Sequence, residues 1–287
     1  VVMISSLTEA GADVTLKALG LGAVDFVGKP KLDVAHQMES YSKEIIAKVK
    51  AAATAKIHPY LPEKAEPAGK SRFDPDEIEK RYTTTMVLQR SPLSKLKATE
   101  KIIAIGASTG GTEAIKDILL LMRADFPGTL IAQHIPPAFS SAFAKRMDSI
   151  SRMVVSEAED GQIISQGHVY IAPGDRHLML VRDGARYRCK LNDGPPVNRH
   201  KPSVDVMFRS VAQSAGLNAI GVILTGMGAD GARGLLELHD AGAPTIAQDE
   251  KSSVVWGMPG EAVKLNAADH VLPIDGIEAK IGSLLNS

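Results

Sequence analysis

Residues 103–114 read IAIGASTGGTEA: an apolar, β-branched run enters a glycine-rich turn. It leaves the turn as a helical pattern, with Ile115, Ile118, Leu119 and Met122 on one face. A strand that turns through glycines into a helix is the unit from which parallel α/β sheets are built. The same turn admits two chemistries. It can cradle a phosphate on free amides at a helix N-terminus, or it can hold Ser108 out as a nucleophile.

Working outward, further short apolar runs alternate with helical patterns: GTLIAQH (128–134), HVYIAP (168–173), NAIGVILTG (218–226), APTIAQD (243–249) and HVLPI (270–274). Runs that are apolar on both faces suit a parallel sheet covered by helices. HLMLVRDGARYRCKL (177–191) differs, because Asp183-Gly184 separates two alternating runs and signals an antiparallel hairpin. Residues 99–287 are therefore expected to form a doubly wound, mainly parallel α/β unit with an added hairpin.

Residues 1–50 read strand, helix, strand, helix. VVMIS (1–5) and VDFVGKP (24–30) are the strands, and Val14, Leu16, Leu19 and Leu21 mark the first helix. Ile45, Ile46 and Val49 mark one face of the second. Such a two-stranded piece leaves much apolar surface uncovered and is not expected to order by itself. Residues 51–98 are rich in Pro, Lys and Glu and read as a linker, with a short helix within PDEIEKRYTTTMVLQR (75–90).

Composition narrows the function. Lys plus Arg and Asp plus Glu are 33 each, so the formal net charge is zero, which argues against a bulk nucleic-acid binder. No apolar run approaches a membrane span, so direct insertion is not expected. The single cysteine, Cys189, allows no internal disulfide and fits a reducing, cytoplasmic setting.

Gly106, Gly110 and Gly111 do not make the dinucleotide pattern, since Ser108 stands where the second glycine belongs. No Lys-Ser or Lys-Thr pair completes a P-loop, and the second strand ends in Gln133-His134 where a dinucleotide fold wants an acid. Gly106-Ala107-Ser108-Thr109-Gly110 does fit G-x-S-x-G, the strand-to-helix elbow that exposes a serine. His134 ends the second strand at the same sheet edge as Ser108 and is the natural base. Asp230, in the glycine-rich loop of GVILTGMGADG (221–231), supplies the orienting acid. The Met227 amide and an amide at Thr109 can bind an oxyanion. Each residue also has a plainer role: Ser108 and Asp230 as helix caps, and His134 as a hydrogen-bonded surface residue. All three at one C-terminal sheet edge favour catalysis. His177 is expected to support the fold, and the basic run Arg199-His200-Lys201 either meets acidic helices or is solvated loop. No cofactor or metal is expected, because the remaining histidines lack partners at ligand spacing.

The stretches IAIGASTGGTEA, QHIPPAFSSAFAKRM, YIAPGDRHL, DGPPVNRHKPSVDVMF and GVILTGMGADGARGLL strongly resemble the catalytic domain of the chemotaxis protein-glutamate methylesterase/glutaminase family, across nearly all of residues 101–285. The resemblance implies Ser108 as nucleophile, His134 as base, Asp230 as acid and the Met227 amide as oxyanion donor. It implies methyl-accepting chemoreceptors as substrate. It also implies that residues 1–50 are the C-terminal part of a response-regulator receiver, the domain through which a chemotaxis histidine kinase would act when complete. Ser5, Phe26 and Lys29 then fall on the phosphoryl-sensing, aromatic switch and lysine positions, and Pro30 on a cis proline. The phosphoacceptor aspartate would lie upstream of residue 1, so this chain is expected not to respond to a phosphodonor.

Overall fold

The structure, a computed structural model, describes residues 1–5, 9–29, 34–55, 83–89 and 100–286. Pro30, expected as a cis proline, and residues 75–82 of the expected short helix lie outside them.

The main sheet has seven parallel strands in the order β11-β10-β9-β3-β4-β6-β5. Their ranges are β3 (Ile102–Ala107), β4 (Gly128–Gln133), β5 (Val154–Glu157), β6 (His168–Ile171), β9 (Ala219–Ile223), β10 (Thr245–Gln248) and β11 (His270–Leu272). The chain starts at the central β3, moves out one way through β4, and returns to the other side of β3 as β9. The strand order thus reverses at β3, where open α/β sheets leave a crevice beyond their C-terminal ends. Alternate residues of β3 face opposite layers. Ile103, Ile105 and Ala107 pack with Ile115, Ile118 and Leu119 of α4 (Gly111–Leu121) and with Phe139 and Phe143 of α5 (Pro137–Asp148). Ile102 and Ala104 pack with Phe208 and Val211 of α6 (Val204–Ser214) and Leu235 of α7 (Ala232–Asp240). The expected hairpin is β7 (His177–Asp183) and β8 (Arg186–Asn192), paired antiparallel as a separate two-stranded sheet. Asp183 pairs with Arg186, so the two turn residues are Gly184, at φ 59°, and Ala185. The edge strand β5 went unread in the sequence; it is four residues long, and its Val154 is exposed.

Cys189 is buried in the hairpin, and burial pushes its thiol up to about 12. It should resist iodoacetamide in the folded chain at neutral pH and react on unfolding; rapid native alkylation would contradict this placement.

The first 55 residues form β1 (Val2–Ser5), α1 (Glu9–Gly20), β2 (Asp25–Gly28) and α2 (Val34–Thr54), with β1 and β2 parallel. This unit orders against its neighbour. Ala12, Leu16, Leu19 and Phe26 join the α4–α5 side of the main core, and the Phe26 ring lies 4.6 Å from that of Phe139. Arg146 of α5 donates to the Leu16 carbonyl and reaches Glu113 of α4 at 3.3 Å. The covered helix face is Ala12, Leu16 and Leu19, with spacing i, i+4, i+7, whereas Val14 and Leu21 point to solvent. Ile46 and Val49 are also about half exposed on α2, so that face is not the packed one either. Leu16→Ala should loosen this docking by about 2–5 kcal/mol. The readout is faster limited proteolysis within residues 1–55, with residues 100–286 still protected; unchanged cleavage would contradict the packing.

The stretch read as a linker is partly ordered among its described residues. Helix α2 runs to Thr54, and the single-turn α3 (Thr84–Val87) docks on α6. There Arg209 donates to Thr85 Oγ1 and to the Leu88 carbonyl, both at 3.1 Å. Arg209 also pairs with Glu237 of α7 at 2.5 Å.

Candidate active site

The sheet register sets the site. Ala107 of β3 pairs with Gln133 of β4, so Ser108 and His134 leave the sheet side by side. On the other side Gly106 pairs with Ile223 of β9, which leads into the loop carrying Asp230.

The elbow at Ser108 is held by backbone bonds. Its N–H donates to the Thr225 carbonyl at 3.0 Å, and its carbonyl accepts from Gly111 N–H at 2.7 Å and Gln133 Nε2 at 2.9 Å. Gly110 sits at φ 78°, which a side chain resists, and a Cβ there would approach Val254 to 2.6 Å. A Cβ on Gly106 would meet Val204 Cγ1 at 2.2 Å. Ser108 does not cap α4; Gly110 stands at that position, with no side-chain cap.

The Ser108 hydroxyl instead lies 3.0 Å from His134 Nδ1, and His134 Nε2 lies 2.8 Å from Asp230 Oδ2. Nδ1 therefore faces the serine and Nε2 the acid. The side chains of His134 and Asp230 are 8% and 1% exposed, so the pair is shielded from water. Burial alone would raise the Asp230 carboxyl. The hydrogen bonds from His134 and from the Asn198 amide outweigh it and hold the carboxyl well below the usual carboxylate range. Asp230 does not cap α7 either, since Gly231 occupies that position. The amides expected at an oxyanion are in reach of the elbow. A Cβ on Gly226 would come within 2.9 Å of Ser108 Cβ, so the turn into Met227 abuts the nucleophile. Among the described residues the N–H groups of Met227 and Thr109 have no backbone acceptor. The Thr109 hydroxyl is committed elsewhere, donating to Asp25 Oδ2 of β2 at 2.5 Å.

Several neighbours of the triad carry no local sequence signal. The His200 ring stacks on His134 with centroids 3.7 Å apart and planes 8° apart. Burial, then the adjacent His134, lower the His200 imidazole to about 3, so it stacks as the neutral ring. His200 therefore belongs to the site, whereas its neighbour Arg199 is exposed. Ser203, Asn198 and the Val204 N–H all donate to Asp230. His177 supports the fold as expected: it is fully buried, with Nε2 2.9 Å from the Pro195 carbonyl and Nδ1 accepting from Ser203 N–H at 3.1 Å. Asp175, the other acid near these loops in sequence, is exposed.

Of Ser5, Phe26 and Lys29, the first and last are joined by a backbone bond. Thr15 Oγ1 donates to Ser5 Oγ at 2.6 Å, and Lys29 N–H donates to the Ser5 carbonyl at 2.7 Å. Phe26 is buried with Lys48 Nζ 5.4 Å from its ring centroid, whereas Lys29 is exposed. Among the described residues no helix is long and apolar enough to cross a membrane.

The sequence model of the CheB methylesterase family matches residues 103–281. A protein-glutamate methylesterase/protein-glutamine glutaminase of Hydrogenovibrio crunogenus is 54% identical over 99% of this chain and 79% of its own length. A homologue of the same name from Xanthomonas euvesicatoria is also 54% identical, over 99% of this chain and 76% of its own. The crystal structure of the Thermotoga maritima CheB methylesterase catalytic domain superposes with a TM-score of 0.63 at 38% identity, covering 65% of this chain and 99% of that one. With its sheet, its hairpin and its Ser108–His134–Asp230 chain of contacts, the protein belongs to the CheB methylesterase family.

Proposed function

We propose that this chain is a serine hydrolase of side-chain carboxyl groups. It removes methyl from glutamate γ-methyl esters of a protein substrate, releasing methanol, and converts chosen glutamines to glutamate, releasing ammonia. The observation that carries the reading is the Ser108 hydroxyl 3.0 Å from an imidazole whose other nitrogen lies 2.8 Å from a buried carboxylate. Ser108 Oγ attacks the ester carbonyl as its proton passes to His134 Nδ1. Asp230 stabilises the imidazolium through Nε2. The amides of Met227 and Thr109 receive the oxyanion. His134 then returns the proton to the leaving methoxide or amine, and water cleaves the acyl-enzyme by the same route in reverse. A phosphate-binding role for the turn fits less well, because the hydroxyl is already engaged by a base.

The relatives' name supports protein glutamates as the substrate; from the family resemblance we read these as glutamates of methylated chemoreceptors, with adaptation in bacterial chemotaxis as the role and the cytoplasm as the compartment. Residues 1–50 read as the end of a receiver domain through which a histidine kinase would act, residues 51–98 as a connecting segment and residues 99–287 as the catalytic unit. Methanol release from methylated receptor membranes tests the activity. Acetyl phosphate in magnesium buffer should leave the initial rate unchanged, because Asp25, the buried aspartate among the described residues of 1–50, is already held by Lys48 and the Thr109 hydroxyl. A severalfold rise would show that residues 1–50 still hold a working switch.

A further inference from the structure

Asp230 needs its carboxylate held so that one oxygen faces His134 while the other is satisfied. Its Oδ2 accepts from His134 Nε2 at 2.8 Å and from Val204 N–H at 2.7 Å. Its Oδ1 accepts from Ser203 Oγ and from Asn198 Nδ2, both at 2.8 Å. The same Asn198 nitrogen lies 2.7 Å from Asp205 Oδ2. An amide NH₂ has two protons, so Asn198 gives one to each carboxylate. Asp205 Oδ1 in turn accepts from Gly231 N–H at 3.0 Å and Gly234 N–H at 2.7 Å, capping α7 from the neighbouring helix α6. Turning the Asp230 carboxylate would therefore break bonds to the 198–203 loop and the start of α6, and would strip Asp205, the cap of α7, of its link to Asp230.

We infer that Asn198 and Asp205 are positioning residues for the Asp230–His134 pair, acting through this one shared amide. The inference rests on the triad proposed above. Two features point past mere packing. A serine or asparagine would cap α7 without placing a second buried charge beside the first, a costly arrangement. A second anion here favours the imidazolium that forms when Ser108 gives up its proton. Asn198 also sits at φ 51°, a left-handed backbone conformation that few non-glycine residues adopt. The ionisable groups around the cluster are His134, His200, Asp205 and Asp230 in direct contact. Lys48 and Arg199 act on His200, and Lys201 and Asp230 act on His177. Burial, then the Asp230 charge, push the Asp205 carboxyl up, and the Gly231, Gly234 and Asn198 donors, which all give a proton to it, hold it toward the anion.

The test is inactivation by a fluorophosphonate, with kinact and KI measured from pH 5 to 9 on the full chain, and circular dichroism as the folding control. Glycine accepts φ 51° without strain but has no amide side chain, so Asn198→Gly separates the turn from the bridge. Asn198→Gly and Asn198→Ala should both lower kinact about 10- to 100-fold, with KI unchanged within about twofold, as expected for lost hydrogen bonds to charged groups. Asp205→Asn, which keeps the shape and removes one anion, should move the acid limb of kinact/KI to lower pH by about half a unit to one unit. A wild-type kinact in Asn198→Gly, or an acid limb that stays in place in Asp205→Asn, would overturn the inference while leaving the triad standing. Absence of any adduct on Ser108 in the unaltered chain would overturn the triad, and this inference with it.

Discussion

Ser108→Ala should reduce methanol release to background while the chain stays folded. The hydroxyl's side-chain contact is with His134 Nδ1, and the elbow is fixed by backbone bonds to Thr225 and Gly111 that alanine keeps. Serine is half-buried there, so little packing is lost. The expected loss is the whole covalent route, on the order of 10⁶ in turnover for a serine triad. Initial rates on methylated receptor membranes, with circular dichroism as control, give the answer. Substantial turnover in a folded variant would remove Ser108 from the chemistry.

Asp230→Asn should cost on the order of 10⁴ in turnover and change substrate affinity little. The amide would turn a donor toward His134 Nε2 and the Val204 N–H, which share Oδ2, or else toward the Ser203 hydroxyl and the Asn198 amide, which share Oδ1. Either choice leaves the imidazole without its acceptor or creates a buried donor clash. Some stability should be lost as well, since five donors surround the group, so the rate is to be read below the variant's melting transition. A near-normal kcat would shift the role to Asp205, the other buried acid within reach through Asn198.

The sheet and the triad were legible because both depend on local pattern. Apolar runs of five or six residues mark the buried strands, and Ser108, His134 and Asp230 each follow such a run, so strand ends alone bring them together. What was not legible depends on contacts distant in sequence. Asp205 reaches Gly231 and Gly234 across 26 and 29 residues, and Thr109 reaches Asp25 across 84. The run PPVNRHKPSVD drew notice for its charge, yet the groups that matter in it are the Asn198 amide, the neutral His200 ring and the Ser203 hydroxyl. The first helix misled for a related reason. Val14 and Leu21 have the apolarity of a core face, but the surface covering Leu16 and Leu19 belongs to α4 and α5, which no local pattern announces.

The proposed mechanism requires that one serine, activated by its histidine, carry the hydrolysis. Peptide mass mapping after fluorophosphonate treatment tests it most directly, with methanol release followed in the same samples. A single adduct on the peptide carrying Ser108 is expected, with activity falling in proportion to its occupancy. Full activity at full occupancy, or inactivation with the adduct on another residue, would contradict it.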